Sequence, residues 1–271
     1  MVKRFLLNII FTVVPFVLGH SGNSFAQCEK HNTAFTAGEQ LTYGVYYNWG
    51  FINIKLAKVV LWTEQAHYQG KNVLALKNTT KTVEKYKWII DADDYYVSYV
   101  APYTLKSYKH IQKTVVDDYF TNNEYVFDYE NGKIYATVEN SKTARFTDTL
   151  EMHSCISDLL TAVYYLRILD FQNMKTGQKV IIPVVLDTTI HEVYYKYAGD
   201  EILKFNDKEE KCKVIIPSIV ETSTFKGGET MKVWIKPDKN RLPLQMTSDL
   251  RIGKILAVLE SYEGLRYKAV N

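Results

Sequence analysis

Apolar and polar positions alternate with a period of two along most of the chain. Leu41, Tyr43, Val45 and Tyr47 are separated by Thr42, Gly44 and Tyr46, the pattern of a half-buried strand. Asn48-Trp49-Gly50 reads as a turn, and 51–62 supplies the partner strand. Strands are predicted over 73–76, 95–100, 103–110, 113–120 and 125–129. The last of these runs into Asn131-Gly132, the strongest short-range hairpin signal because both central residues need positive φ, with 133–138 as the return strand.

The period changes near residue 154. Leu159, Val163 and Leu166, flanked by Ile156 and Leu160, fall at helical spacing and predict an amphipathic helix over 154–170, capped by Ser154 or Ser157. Strands resume over 179–186 and 192–198, then over 201–205 and 211–216 after a Gly199-Asp200 turn. Segments 219–225 and 231–236 flank Gly227-Gly228, and Pro237-Asp238-Lys239-Asn240 has strong turn chemistry because proline presets φ. Segments 242–250 and 255–262 finish the chain. A dozen or so strands and one helix predict a mainly β fold: a strongly curved antiparallel sheet or open β-barrel with the helix packed on it. No Pro/Gly/Ser-rich linker divides it, so 27–271 reads as a single domain.

Composition sharpens this picture. Aromatic residues are abundant (Tyr 21, Phe 12, Trp 4), which suits strands. Lys+Arg 33 against Asp+Glu 30 gives a net charge of +3, too balanced for a nucleic-acid binder. At the N-terminus Lys3 and Arg4 precede an apolar run over 5–18, and Ser24-Phe25-Ala26 follows a polar stretch. That order is the signature of a secretory signal peptide over 1–26, cut between Ala26 and Gln27, and the run falls short of the roughly 20 apolar residues of a membrane span. Gln27 occupies the position where lipid attachment at Cys28 requires a small residue, so the mature protein is expected to be exported and soluble, periplasmic or associated with the outer envelope. Cys28, Cys155 and Cys212 are candidate disulfide cysteines, and no CxxC pair suggests a redox or zinc motif.

The search for chemistry returns mostly negatives. His191-Glu192 begins like a zinc-protease helix, but Tyr195 stands where the second histidine belongs. Asp91, Asp93 and Asp94 suggest a calcium loop, yet Tyr96 takes the place of the required glycine. His153-Ser154-Cys155 could pair a thiol with a base at a helix start, although adjacent residues seldom point together. Gly227-Gly228 lacks the lysine and helix of a phosphate loop. The tyrosine pairs at 46–47, 95–96, 164–165 and 194–195 could wall a lipid or sugar site, but strand neighbours face opposite sides and packing explains them. No catalytic residue, cofactor or metal is therefore expected.

Gly38-Glu39-Gln40-Leu41-Thr42-Tyr43, the helical stretch Asp158 to Arg167, Val233-Trp234-Ile235 and Asn240-Arg241-Leu242-Pro243 stand out, followed by Ile252-Gly253-Lys254-Ile255 and Leu259-Glu260-Ser261-Tyr262. In this order and spacing they resemble the exported bacterial family called domain of unknown function 3108. The resemblance implies a β-rich exported protein without an assigned activity. The tryptophan strand and Pro-Asp turn also look like one hairpin of the outer-membrane lipoprotein carriers, which hold lipid in an open barrel. The leading expectation is a non-catalytic module that binds a cell-envelope component through the concave sheet. A periplasmic lipid or lipoprotein carrier whose helix lids an apolar cavity comes second, and a hydrolase built on His153 or Cys155 third.

Overall fold

Fourteen strands realise the alternation in a computed structural model that describes residues 31–218, 228–250 and 252–268. The predicted leader, its Ala26–Gln27 cut, Cys28 and the strand predicted over 219–225 lie outside the described residues. In chain order the strands are β1 Gln40–Trp49, β2 Ile52–Tyr68, β3 Lys71–Thr82, β4 Ala92–Val100, β5 Ser107–Val116, β6 Tyr119–Asp128, β7 Lys133–Asn140 and β8 Thr143–Glu151. After helix α1 Leu159–Tyr165 come β9 Lys179–Leu186, β10 Thr189–Phe205, β11 Lys208–Pro217, β12 Met231–Ile235, β13 Pro243–Asp249 and β14 Lys254–Glu263. They form one antiparallel sheet in the order β8-β7-β6-β5-β4-β3-β2-β1-β14-β13-β12-β11-β10-β9. First and last strands are thus neighbours at its middle, Gly44 facing Val258, and the sheet's two ends are β8 and β9.

Those ends do not join edge to edge. Val185 of β9 and Ile190 of β10 pack against Tyr125 and Phe127 of β6 and Ile134, Ala136 and Val138 of β7. Asn123 of β6 donates to Asp187, in the β9–β10 turn, at 3.0 Å. The rolled sheet therefore overlaps itself and leaves β8 outside the overlap, paired only with β7 and exposed along most of its length. The edge of β9 is covered by the chain that follows β8. Ser157 N–H donates to the Pro183 carbonyl at 2.8 Å, and Val185 N–H donates to Ser157 at 3.0 Å. An edge strand left bare would invite pairing with another chain, and this cover removes one such edge.

Inside the roll the largest core cluster joins α1 and its continuation to β3, β4 and β9–β12. Leu160, Ala162, Tyr164, Tyr165, Leu166, Ile168 and Leu169 are all buried there. The helix is shorter than its periodicity predicts, because Asp158 rather than a serine caps it and Leu166–Ile168 tightens into a 3-10 turn. Its predicted apolar stripe is also rotated. Leu159 and Val163 are 36% and 41% exposed, while Thr161 and both tyrosines face inward. Polar Thr161 is buried because it belongs to the cap, a role that periodicity does not register.

Three further expectations change. The strand predicted over 113–120 is split by the turn at Asp117, whose φ of 51° marks a reversal. The turn predicted at Gly199-Asp200 is instead a bulge within β10, where pairing with β11 shifts register between Tyr197 and Gly199 at φ +102°. Strand β8 went unpredicted, since Thr143–Glu151 is exposed on both faces and lacks the alternation that reveals a strand.

Just after β14, Gly264 sits at φ +64° with an added Cβ only 1.8 Å from the Gly38 carbonyl oxygen. Backbone meets backbone there, so nothing soft can yield. Gly264→Ala is expected to destabilise the protein by at least about 2 kcal/mol, read by urea denaturation.

Candidate functional site

Two buried charged clusters hold the helical segment, one at each end. Asp158 caps α1 by accepting from the Thr161 N–H at 2.8 Å and the Thr161 hydroxyl at 2.7 Å. It also accepts from Ser98 Oγ at 2.6 Å and Ser107 Oγ at 2.7 Å, with His110 Nδ1 3.2 Å away. Burial alone would raise the Asp158 pKa, but His110 and the two serine hydroxyls outweigh it and hold the carboxyl well below the usual carboxylate range. Serine, histidine and aspartate here have the composition of a hydrolase triad without its geometry. Ser98 Oγ, at 2.8 Å, and Asp158 share His110 Nδ1, whereas among the described residues His110 Nε2 has no hydrogen-bond partner. A relay needs the nucleophile and the orienting acid on opposite ring nitrogens. Ser98, His110 and Asp158 are also wholly buried.

At the other end Arg167 makes a two-pronged contact with Glu39, through Nη1 to Oε1 and through Nη2 to Oε2 at 2.8 Å. Arg167 Nη2 and Nε donate to the Asn240 carbonyl at 2.8 and 3.3 Å, and the guanidinium lies 4.8 Å from the Phe35 ring centre. Asn240 in turn bonds both ways to the backbone of Tyr267, at 3.0 Å each. Arg241 donates to the Arg167 and Leu169 carbonyls at 3.3 and 3.1 Å. Glu39, Asp158, Arg167, Asn240 and Arg241 all lie within the sequence motifs singled out above. Their role in the structure is to fasten the helical segment to β5, the start of β1 and the β12–β13 turn.

A cleft beside α1 stays open. It encloses about 450 Å³ and draws on four separated stretches: 104–107, Tyr129 with Gly132, 152–157, and 181–183, with Tyr165 at its back. Leu105, Met152, Ile156, Ile182 and Pro183 give it a mainly apolar wall, and Lys106 and His153 stand at its rim. This volume is that of a small-molecule site. Cys155 also lines it and is disulfide-bonded, so it holds no thiolate to act as nucleophile. Cys212 leaves the set of disulfide candidates: it is a free thiol on β11 with its side chain buried, and burial pushes its pKa up to about 11.

The remaining sequence candidates disperse. His191 and Glu192 lie on a strand, and Tyr195 donates its hydroxyl to the Ala162 carbonyl at 2.6 Å, bracing the helix. Asp93 pairs with Lys81 at 2.9 Å, the Asp91 N–H bonds Asp117, and Asp94 turns to the other side of β4. Among the described residues no three His, Cys, Asp or Glu side chains gather as a metal site. Of the tyrosine pairs, Tyr194 and Tyr195 divide between surface and core as strand neighbours should, whereas Tyr164 and Tyr165 sit on the helix and are both buried. At the end of the sheet opposite the cleft, three neighbouring hairpins expose Trp49 (55%), Phe51 (99%), Trp88 (81%) and Ile252 (63%). Aromatic residues beside a turn glycine were the available signal for that patch, and sequence reasoning passed over it.

Two outcomes test these assignments. Arg167→Met leaves Glu39 buried without a counter-charge and is expected to cost about 3–5 kcal/mol in denaturant unfolding. Adding Glu39→Leu should recover part of that loss, because the two effects are coupled. Asp94 has a buried Oδ1 without a partner among the described residues, and burial lifts its pKa to about 6, with Thr114 opposing and Asp93 adding to the rise. A raised carboxyl pKa favours the folded state below the ordinary value and loses that benefit as pH climbs through 6. Asp94→Asn should therefore stabilise the protein by about 1 kcal/mol at about pH 8 after solvent screening, and by nothing near pH 4, as thermal melts would show.

A crystal structure titled as a β-barrel-like protein of domain of unknown function DUF1849, from Brucella abortus, superposes on this chain with a TM-score of 0.53 and 10% sequence identity. The match covers 83% of this chain and 96% of that one, so the two share a fold. None of the curated proteins matches the chain. No helix among the described residues is long and apolar enough to cross a membrane. The family described as "Protein of unknown function (DUF3108)" matches residues 42–260, from β1 to β14, and the chain belongs to that family.

Proposed function

We propose that the protein is a non-catalytic binding module of the cell envelope, exported by its N-terminal leader, and that the cleft beside α1 receives its ligand. The observation that carries this reading is the contrast between a filled interior and an open apolar cleft. Helix α1 and the segment to Phe171 occupy the inside of the roll with buried apolar side chains, and the cleft of about 450 Å³ borders that packing at Leu105, Tyr165 and Ile182 and opens away from it. A carrier holding lipid within the barrel would need the space the helix fills. The Ser98, His110 and Asp158 arrangement, sealed and wrongly ordered for a relay, and the disulfide at Cys155 both weigh against a hydrolase. A disulfide at Cys155 also suits an oxidising compartment outside the cytoplasm.

Native mass spectrometry of protein released from the periplasm tests the proposal. The expected mass is that of the chain beginning at Gln27, carrying a small bound species. Ile181 lines the cleft and is 46% exposed, so Ile181→Asp should abolish the bound species while leaving the fold intact. A retained leader would sink the export assignment, and an adduct that survives Ile181→Asp would sink the cleft.

A further inference from the structure

Lys106 lines the cleft, and Lys71, outside that lining, is close enough for its charge to be felt there; among the described residues no acid pairs with either. Lys106 Nζ lies 3.5 Å from the Tyr129 ring centre, and Lys71 Nζ lies 5.0 Å from that of Tyr108. The two rings meet edge to face at 6.3 Å, so the ammonium groups flank one aromatic pair. Tyr129 is fixed by donating its hydroxyl to the Ser107 carbonyl at 2.8 Å. Among the described residues neither lysine forms a salt bridge. The nearby Asp128 carboxylate is engaged by the backbone of its own turn and by Asn131. Burial and then the field of Lys71 lower the Lys106 pKa. Two cations held against each other beside an apolar wall leave a repulsion that a bound anion would relieve.

The geometry points to an anionic amphiphile as the ligand of the cleft. Its carboxylate or phosphate head lies between Lys71 and Lys106, and its alkyl chain lies along Leu105, Met152, Ile156 and Ile182. This rests on the cleft being the binding site and adds to it the chemistry that the site reads. Lysine rather than arginine suits a head that is a compact point charge without fixed bidentate geometry. The aromatic faces beneath the ammonium groups keep them partly desolvated, which strengthens attraction to an anion.

Dodecanoate below its micellar concentration is the probe, with dodecanol as the neutral chain and acetate and inorganic phosphate as heads alone. The methyl NMR signal of Met152 reports occupancy of the cleft in the intact mature protein. Dodecanoate is expected to shift that signal saturably, dodecanol to bind more weakly, and acetate and phosphate to leave it unmoved. Lys106→Met should weaken dodecanoate about tenfold and the Lys71→Met/Lys106→Met pair by more, each charge-assisted contact being worth about one decade, with dodecanol unaffected. Lys106→Arg should retain most of the affinity. Both lysines are exposed, so thermal melts of the variants should match the parent. Equal dodecanoate affinity in the double variant overturns the head-group assignment and leaves the cleft standing. Tight binding of acetate or phosphate alone overturns the amphiphile in favour of a simple anion site. A Met152 signal that neither dodecanoate nor dodecanol moves overturns this inference together with the cleft.

Discussion

The contact between Arg167 and Glu39 is the one on which the rest of the structure depends. Taking both charges out of water is expensive, and the pair is tolerable only because its geometry is two-pronged and the Asn240 carbonyl accepts two further guanidinium donors. In return it ties together regions distant in sequence: the residue before β1, the end of the helical segment, the β12–β13 turn and, through Asn240, Tyr267 near the C-terminus. Replacing the pair with apolar side chains would remove the desolvation penalty, but also the directional contact that sets where the helical segment lies. That segment fills the roll, and its far end is set by Asp158 in the same manner.

The fold was largely legible because most strands are half-buried, and half-burial writes itself as alternation. What escaped follows from physical exceptions to that rule. Strand β8 is exposed on both faces and carries no alternation, so nothing in Thr143–Glu151 marks a strand. Strand β10 bends at Gly199 without ending, and a bend and a turn use the same residue type. The helical cap fell to Asp158 because two serine hydroxyls and a histidine from β4 and β5 converge on it, a fact of tertiary structure invisible at the helix itself. The motif residues Glu39, Asp158, Arg167, Asn240 and Arg241 were visible as a pattern. A pattern does not say what charged residues do, and the burial of Glu39, Asp158, Arg167 and Asn240 shows the set to be fasteners. The cleft was illegible for a different reason: its four stretches come together only when the ends of the sheet overlap.

A division of labour emerges between buried and exposed polar groups. The side chains that look most like chemistry, among them His110, Ser98 and Asp158, are consumed by architecture and shut away from solvent. Groups that sequence reading discounts, such as Lys106 at the rim of the cleft, form no salt bridge among the described residues. A shared fold at 10% identity fits the same logic. The sheet and its plug place few demands on particular side chains away from the fasteners, so the surface around the cleft is free to diverge.

The unjoined ends of the sheet have a consequence for how such a protein can change. A closed barrel has a girth fixed by a whole number of strands and by a shear that every hydrogen-bonded register must satisfy. Here no ladder joins β8 to β9, and the ends lie across one another like a loosely wound cuff. Its circumference is set by the volume of what it wraps. A bulkier side chain on α1 can be met by a small slip of β9 and β10 across β6 and β7, which costs the Asn123–Asp187 hydrogen bond but breaks no strand register. Girth in this architecture is a continuous variable, and the helix is its gauge.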